Sequence, residues 1–306
     1  MDESSDLQRP ASVFGADGEL PPGPTLVGAA GRAVCAGTSI VPAPLSTRRE
    51  PATADRVAGE LVIDGLSKYW GDTLALSAVS FRVAPGEVVA VLGASGSGKS
   101  TLFRCAARLS EPSSGRVSIG GVELTAAETR RRGRGAIGVV FQQFNLVPSH
   151  SALTNVLLGR LADTPGWRGL FGLFSAEDRR RAGRALDDVG LADKANCLVR
   201  ELSGGQQQRV AVARVFAQAP VAVFADEPTS SLDPLLSDTV LKLLRDYGQQ
   251  RRVPVLMNLH SVESARKFAD RVLGLRGGEL VADLRAVDLT ANAVARIYGA
   301  PAEVSP

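Results

Sequence analysis

Apolar runs and alternating segments recur along the chain from residue 59 onward and predict an α/β fold. Residues 87–92 form an almost continuous apolar run, which is typical of a strand in the centre of a sheet. Residues 79–83 alternate between apolar and polar side chains, as a half-buried strand does. Further apolar runs, several of them separated by helical stretches, lie at 61–63, 136–141, 221–225 and 255–259. This alternation predicts a mostly parallel sheet with helices on both faces.

The chain divides into three parts by composition. Residues 1–58 are rich in Pro, Gly, Ala and Ser and show no lasting apolar period, so we expect a disordered N-terminal extension. An alternative is that the protein starts near Val57, where the composition changes abruptly. We expect residues 59–300 to fold as one domain without an internal repeat, and residues 301–306 to form a short C-terminal tail.

Net charge and hydropathy indicate whether the protein binds nucleic acid or enters a membrane. The 306 residues carry a formal net charge of +3, an excess too small to predict nucleic-acid binding. No run approaches the roughly 18 uninterrupted apolar residues that indicate a membrane span. We therefore expect no nucleic-acid partner, and we expect any link to a membrane to pass through another protein.

A glycine-rich segment between the central strand and a helix predicts a phosphate site. Residues 93–100 read G-A-S-G-S-G-K-S and fit the pattern G-x-x-x-x-G-K-[ST]. The glycines let backbone N–H groups surround a polyphosphate, and the helix N-terminus adds a partial positive charge. A merely flexible Gly/Ser loop would not account for a strand directly before it and a helix directly after it. The residues expected to contact the nucleotide are Gly93, Ala94, Ser95, Gly96, Ser97, Gly98, Lys99, Ser100 and Thr101.

Two acidic residues follow a later apolar run and predict the chemistry at the γ-phosphate. Asp226 and Glu227 come directly after the run at 221–225, which places them at the carboxyl edge of the sheet, beside the phosphate loop. We expect Asp226, with the Ser100 hydroxyl, to hold Mg²⁺, and Glu227 to polarise the attacking water. An ordinary solvated strand end is the alternative for the pair taken alone.

Residues 202–206 read L-S-G-G-Q and precede a helical stretch at 207–218. This segment predicts a second anion-binding helix start, at which Ser203 and Gly204 offer a hydroxyl and a backbone N–H to a γ-phosphate. A glycine-bearing helix cap is the alternative for the segment alone. One domain does not need two such sites for one triphosphate, so the pair indicates two domains working together.

The pentapeptide and the order of the motifs resemble the ATP-binding subunits of ABC transporters, over roughly residues 60–300. The resemblance implies a P-loop NTPase cassette with a mostly parallel sheet, an antiparallel β subdomain and a helical signature subdomain. It also implies a homodimer, in which the signature of one subunit closes over ATP and Mg²⁺ held by the phosphate loop of the other. The signature residues in this chain are Leu202, Ser203, Gly204, Gly205 and Gln206.

The resemblance assigns further residues one by one. Gln142, rather than its neighbour Gln143, matches the glutamine that contacts Mg²⁺ and water and couples to the permease. His260 matches the switch histidine at the γ-phosphate. The catalytic residues implied are therefore Glu227, His260 and Gln142, and the metal-binding residues are Ser100, Gln142 and Asp226.

Two further motifs follow from the same resemblance. Ser231, Leu232 and Asp233 are similar to the D-loop, which crosses the dimer interface. The aromatic residue that stacks on adenine should lie shortly before the phosphate-loop strand, where both Tyr69 and Trp70 qualify and the spacing favours Trp70.

The stretches that point to a subfamily resemble the ATPases of phosphonate importers. They lie at 141–147, 155–161, 167–174, 189–195, 258–262 and 296–299. The aromatic insert at 167–174 is the most discriminating, although its side chains could simply pack the helical subdomain. One departure from the subfamily is Thr229-Ser230, where an apolar pair is common.

This resemblance implies an ATP-hydrolysing subunit at the cytoplasmic face of the cell membrane. Its partners would be an integral membrane permease and an extracytoplasmic phosphonate-binding protein. The alternatives are an importer of phosphate, polar amino acids or another small solute, and an ABC ATPase that acts on DNA or ribosomes. The last class usually has two cassettes or a long coiled-coil insertion, and a P-loop kinase would lack the pentapeptide.

Overall fold

The computed structural model describes residues 59–125, 137–164, 172–230 and 232–299. The predicted extension at 1–58, the tail at 301–306, Ser231 and most of the aromatic insert lie outside the described residues. The strands are β1 Leu61–Trp70, β2 Thr73–Val83, β3 Val88–Leu92, β4 Ser114–Ile119, β5 Val122–Glu123, β6 Ile137–Val140, β7 Ala222–Asp226, β8 Val255–Asn258, β9 Arg271–Arg276 and β10 Glu279–Arg285. The helices are α1 Lys99–Ala106, α2 Ala152–Leu158, α3 Ala176–Asp188, α4 Gly204–Gln218, α5 Pro234–Arg251, α6 Val262–Phe268 and α7 Ala291–Tyr298.

The larger sheet has six strands in the order β10-β9-β3-β8-β7-β6. The pairs of β3 with β8 and β9, of β7 with β8, and of β6 with β7 are parallel, and β10 pairs antiparallel with β9. All five residues of β3 are buried, as its continuous apolar run predicts. The parallel strands bring their carboxyl ends to one edge of the sheet, where the candidate site lies.

Alternate residues of β3 face two separate hydrophobic clusters. Val88, Ala90 and Leu92 pack into the cluster that also holds α4, α5 and α7, whereas Val89 and Val91 pack with the antiparallel sheet and α1. Successive side chains of a strand point to opposite faces, so the central strand anchors both layers at once. The phosphate loop, which follows β3, is therefore attached to a strand that is packed on both faces.

The smaller sheet is antiparallel, with the strand order β2-β1-β4-β5. Its first strand extends to Trp70, well beyond the apolar run at 61–63, because β1 pairs along its length with β2 and over much of it with β4. Register shifts after Ile63 and Leu66 mark irregularities in this pairing. The extension carries Tyr69 and Trp70 to the end of the strand.

Helices α2, α3 and α4 pack together and form the helical subdomain. Ser175 caps α3 in a capping box with Asp178, and the inward face of α3 buries Ala182, Ala185 and Leu186. Arg160 joins the layer from its buried position by bonding Asp178 at 3.0 Å and the Ala217 carbonyl at 3.2 Å. The predicted fold class is thus confirmed in its mostly parallel core, its antiparallel sheet and its helical layer.

Among the described residues, no helix combines the length and the apolar character needed to cross a membrane.

Candidate functional site

Parallel pairing at one sheet edge brings the predicted motifs together. Asp226, the last residue of β7, lies opposite Asn258 at the end of β8, and Val91 of β3 also pairs with Asn258. The phosphate loop leaves β3 at this same edge, and His260 follows β8 by two residues. The loop, the acidic pair and the histidine therefore share one site.

The phosphate loop packs so closely at Gly98 that only glycine fits there. Gly98 has φ +102°, and a Cβ built on it would lie 2.6 Å from the Ala75 carbonyl oxygen. The turn between β9 and β10 supports the loop from the other side, since the Gly278 N–H donates to the Ser97 carbonyl at 3.0 Å. The loop ends where α1 begins at Lys99, as predicted, and no side chain caps the N-terminus of that helix.

Lys99 lies inside the loop, and its side chain is 5% exposed. Its Nζ donates to the Gly93 carbonyl at 2.7 Å and to the Ala94 carbonyl at 3.0 Å. Burial lowers the pKa of Lys99 below its ordinary value, while the charges of Glu227 and Asp226 oppose that change. The ammonium thus occupies the concave side of the loop, where it can exchange carbonyl partners for phosphate oxygens.

Glu227 and His260 contact each other directly across the site. His260 Nε2 lies 2.8 Å from Glu227 Oε1, and the two side chains are 51% and 20% exposed. Glu227 has φ +52°, in the left-handed region, and its carbonyl accepts hydrogen bonds from the Ser230 N–H and hydroxyl, both at 3.3 Å. A histidine in contact with a half-buried carboxylate forms an acid–base pair that both groups help to orient.

Asp226 is oriented by a buried amide. Asn258, which is fully buried, donates from Nδ2 to Asp226 Oδ1 at 2.7 Å. The second carboxylate oxygen, the exposed Ser100 hydroxyl and the exposed Gln142 amide are all hard oxygen donors of the kind Mg²⁺ takes. The chemistry of this donor set fits Mg²⁺.

The signature segment lies at the start of α4, in the helical subdomain. Ser203 caps the helix by accepting from the Gln206 N–H at 3.4 Å, and Gln206 Oε1 accepts from the Ser203 N–H at 3.0 Å. Helix α4 begins at Gly204, three residues before the predicted stretch, because this capping box fixes its first turn. Leu202 and Gly205 are buried, whereas Ser203 and Gly204 are exposed.

The remaining predicted residues lie around these two centres. Asp233 caps α5 by accepting from the Leu236 N–H at 3.0 Å, and Leu232 is partly buried beside it. A cavity of about 410 Å³ joins Leu232 to Glu227, His260 and Asn258. Leu232, of the predicted D-loop, therefore lines the same cavity as Glu227 and His260.

Both candidates for the adenine contact are exposed. Tyr69 is 50% exposed and Trp70 is 48% exposed, at the end of β1. Lys68 Nζ lies 4.5 Å from the centroid of the Trp70 ring, in a cation–π arrangement. The choice of Trp70 over Tyr69 stays a prediction.

Three polar residues that hold these motifs in place were not identified from the sequence. Gln208, buried in α4, donates to the Pro228 carbonyl at 2.7 Å, next to Glu227. Arg214 donates to the Asn145 carbonyl at 2.6 Å and to the Phe144 carbonyl at 3.2 Å, just after Gln142, and burial lowers the pKa of Arg214. With Asn258, these residues share one signal in the sequence, a polar side chain at an inward position of an apolar strand or helix.

Comparison with known proteins agrees with this geometry. The family described as ABC transporter matches residues 76–230, just over half of the chain. The phosphonates import ATP-binding protein PhnC of Bdellovibrio bacteriovorus is 44% identical over 247 residues, which cover 79% of this chain and 95% of that protein. The chain belongs to the ABC transporter family. The resemblance read from the motifs is confirmed.

Other members of the family extend the comparison. The PhnC protein of Rhodopseudomonas palustris strain BisB5 is 43% identical over 245 residues, covering 79% of this chain and 91% of that protein. The hypophosphite import ATP-binding protein HtxD of Stutzerimonas stutzeri is 45% identical over 245 residues, covering 79% of this chain and 72% of that protein.

Solved ABC cassettes share the fold. One is a dimeric ATP-binding cassette in a post-hydrolysis state bound to ADP and Pi, with a TM-score of 0.62 and 34% identity over 74% of this chain and 98% of that chain. Another is an inward-facing, putative metal-chelate type ABC transporter, with a TM-score of 0.67 and 27% identity over 79% of this chain and 89% of that chain.

Proposed function

We propose that this chain is the ATP-hydrolysing subunit of an ABC importer for phosphonates. The observation that carries the catalytic part is the 2.8 Å contact between Glu227 and His260 at the sheet edge that also holds the phosphate loop and Asp226. The cargo is proposed from the relatives. Two proteins that are 44% and 43% identical to this chain, over 95% and 91% of their own length, are named as phosphonate import proteins.

The phosphate loop binds the triphosphate of ATP. The Lys99 ammonium, which lies against the Gly93 and Ala94 carbonyls, turns to the β- and γ-phosphate oxygens. Ser100, Asp226 and Gln142 would hold Mg²⁺, which supplies charge neutralisation at these oxygens when bound. Trp70 stacks on the adenine ring from the end of β1.

Glu227 orients and polarises the water that attacks the γ-phosphate, and His260 donates a hydrogen bond to the charge that develops there. Their contact holds both side chains in place before the nucleotide arrives, so most of the catalytic effect comes from positioning. The Asn258 amide keeps Asp226 in its orientation beside them.

Two copies of the chain form the working unit. Ser203, Gly204 and the first N–H groups of α4 from one copy complete the γ-phosphate site of the other, and the D-loops cross between them. An integral membrane permease anchors the dimer at the cytoplasmic face of the membrane and moves as the dimer closes and reopens. An extracytoplasmic phosphonate-binding protein delivers the cargo.

The catalytic proposal is tested with Glu227→Gln in the full chain. We expect ATP affinity, measured by calorimetry, to stay within about twofold, and kcat to fall by about 100-fold or more because the water loses its base. Glu123→Gln, an exposed carboxylate in β5, is the matched control and should hydrolyse ATP like the wild type. Full turnover by the Glu227 variant would refute the assignment.

Hypophosphite is a second candidate cargo, because one relative at 45% identity is named as a hypophosphite import protein. The transporter reconstituted in vesicles with its binding protein distinguishes the two. We expect methylphosphonate to stimulate ATP hydrolysis more than hypophosphite, phosphate or amino acids at equal concentration. Stronger stimulation by any of the other solutes would assign that solute as the cargo.

A further inference from the structure

The C-terminal helix α7 is fixed against β9 by close packing. Ile297 is fully buried, and a Cβ built on Gly274 of β9 would lie 2.4 Å from Ile297 Cγ1. Arg276 Nη1 donates to the Arg296 carbonyl at 2.9 Å, and the helix stops at Gly299, which has φ +77°. The last turn of α7 therefore has little freedom to shift along the sheet.

This placement brings the Tyr298 side chain to the edge of the candidate site. Its hydroxyl donates to the His260 carbonyl over 3.5 Å. Burial raises the pKa of Tyr298 above its ordinary value, and a backbone hydrogen bond with Gly93 opposes part of that rise. One phenol thus contacts the main chain of two segments that follow different strands, β3 and β8.

Both segments carry groups of the proposed mechanism. Gly93 is the first residue of the phosphate loop, and its carbonyl accepts from Lys99. The His260 side chain contacts Glu227 at 2.8 Å. A shift in the main chain at His260 would change that contact, because the side chain moves with its backbone.

We propose that Tyr298 is a positioning residue for the switch histidine, holding the His260 main chain in register with the start of the phosphate loop. The hydrogen bond to the His260 carbonyl is long, at 3.5 Å. The inference rests on the proposed role of His260 in hydrolysis.

Four variants of the full chain test it, namely Tyr298→Phe, His260→Ala, their combination, and Tyr247→Phe. Tyr247 is the matched control, a buried tyrosine stacked on Phe216 with ring centroids 4.1 Å apart, between α4 and α5. ATPase rates are measured against ATP concentration, well below the melting temperature of every variant. Unfolding then does not contribute to the differences.

We expect Tyr298→Phe to lower kcat by about three- to tenfold, the loss expected for one hydrogen bond, with KM for ATP within about twofold. In the His260→Ala background the same change should alter the residual kcat by less than about twofold, because the group that Tyr298 positions is absent. Tyr247→Phe should keep the wild-type kcat.

Three results would overturn the inference. One is an unchanged kcat in Tyr298→Phe while His260→Ala loses turnover. In that case His260 would keep its proposed role, but Tyr298 would not position it. Another is an equal loss from Tyr298→Phe in both backgrounds, which would mean that it acts without the histidine. Full turnover by His260→Ala would refute the proposed role of the histidine and, with it, the reason for positioning it.

Discussion

Two helices of this molecule begin at glycine-bearing segments that we predict to bind phosphate, and the chain surrounds the two segments very differently. At the start of α1, the phosphate loop has a buried lysine inside it and strand, turn and acidic residues around it. At the start of α4, Ser203 and Gly204 are exposed, and a Cβ on Gly204 would meet nothing within 4 Å. The first segment is enclosed by residues of its own chain, whereas the second presents its donors outward, as expected for the half of a shared site that a second copy contributes.

We expect the largest effect from removing Lys99, the buried lysine inside the phosphate loop. Lys99→Ala deletes the ammonium inside the loop, and we expect ATP affinity to fall by about 100-fold, since charge-assisted hydrogen bonds to phosphate are among the strongest in proteins. Calorimetry on the full chain measures it, with Lys242→Ala, an exposed lysine of α5, as the control. Unchanged affinity in the Lys99 variant would show that the loop does not need its lysine.

A negative charge introduced at Gly204, in the second segment, should lower the rate of ATP hydrolysis without changing the affinity for ATP. Gly204→Asp has room for its side chain in one copy, and the carboxylate suits a helix N-terminus, so the fold should keep its melting temperature. Facing a γ-phosphate, the same carboxylate repels it, and we expect kcat to fall by at least about 30-fold while ATP affinity of the single chain stays within about twofold. Gly204→Ala is the control for added volume. A variant that hydrolyses ATP normally would contradict the shared site.

The smallest effect concerns stability and tests how tightly each segment is enclosed. Gly98→Ala places a Cβ 2.6 Å from the Ala75 carbonyl at φ +102°, so we expect it to lower the free energy of unfolding by about 2 kcal/mol. Gly204→Ala should change it by less than about 0.5 kcal/mol, because the position is open. Denaturant unfolding of both variants measures the difference. Equal losses would mean that the two segments are equally enclosed.

Local patterns predict local structure well in this chain. The apolar run at 87–92 gives a buried central strand, Lys99 begins a helix, and Asp226 ends a strand, because each depends on hydrophobic period or on a few neighbouring residues. The partners of these residues could not be predicted in the same way. The extension of β1 to Trp70 depends on pairing with β2 and β4, and the contact of Arg214 with Phe144 joins residues 70 apart in sequence.

For the functional residues too, the sequence predicts the location of a residue better than its contacts. Glu227 was expected beside the phosphate loop because it follows a strand of the parallel sheet, and His260 was expected there because it matches the switch histidine of the family. Their direct contact depends on side-chain geometry that no spacing specifies. Tyr298 lies near the end of the chain, and only the packing of α7 on β9 brings it to Gly93 and His260. Residues 1–58 and most of the aromatic insert lie outside the described residues. The disorder of the first segment and the role of the second therefore stay predictions.

The left-handed backbone of Glu227 has a consequence for how this enzyme could be stabilised. A residue with a side chain is less stable in that conformation than in the right-handed one by roughly 1–2 kcal/mol, and Glu227 is held there by Ser230 and by its place after β7. Replacing it with glycine should remove that strain and yield a more heat-resistant protein that no longer turns over ATP. Selection for thermal resistance alone would therefore favour loss of the carboxylate that we propose activates water, so any directed evolution of this cassette has to select for transport at the same time.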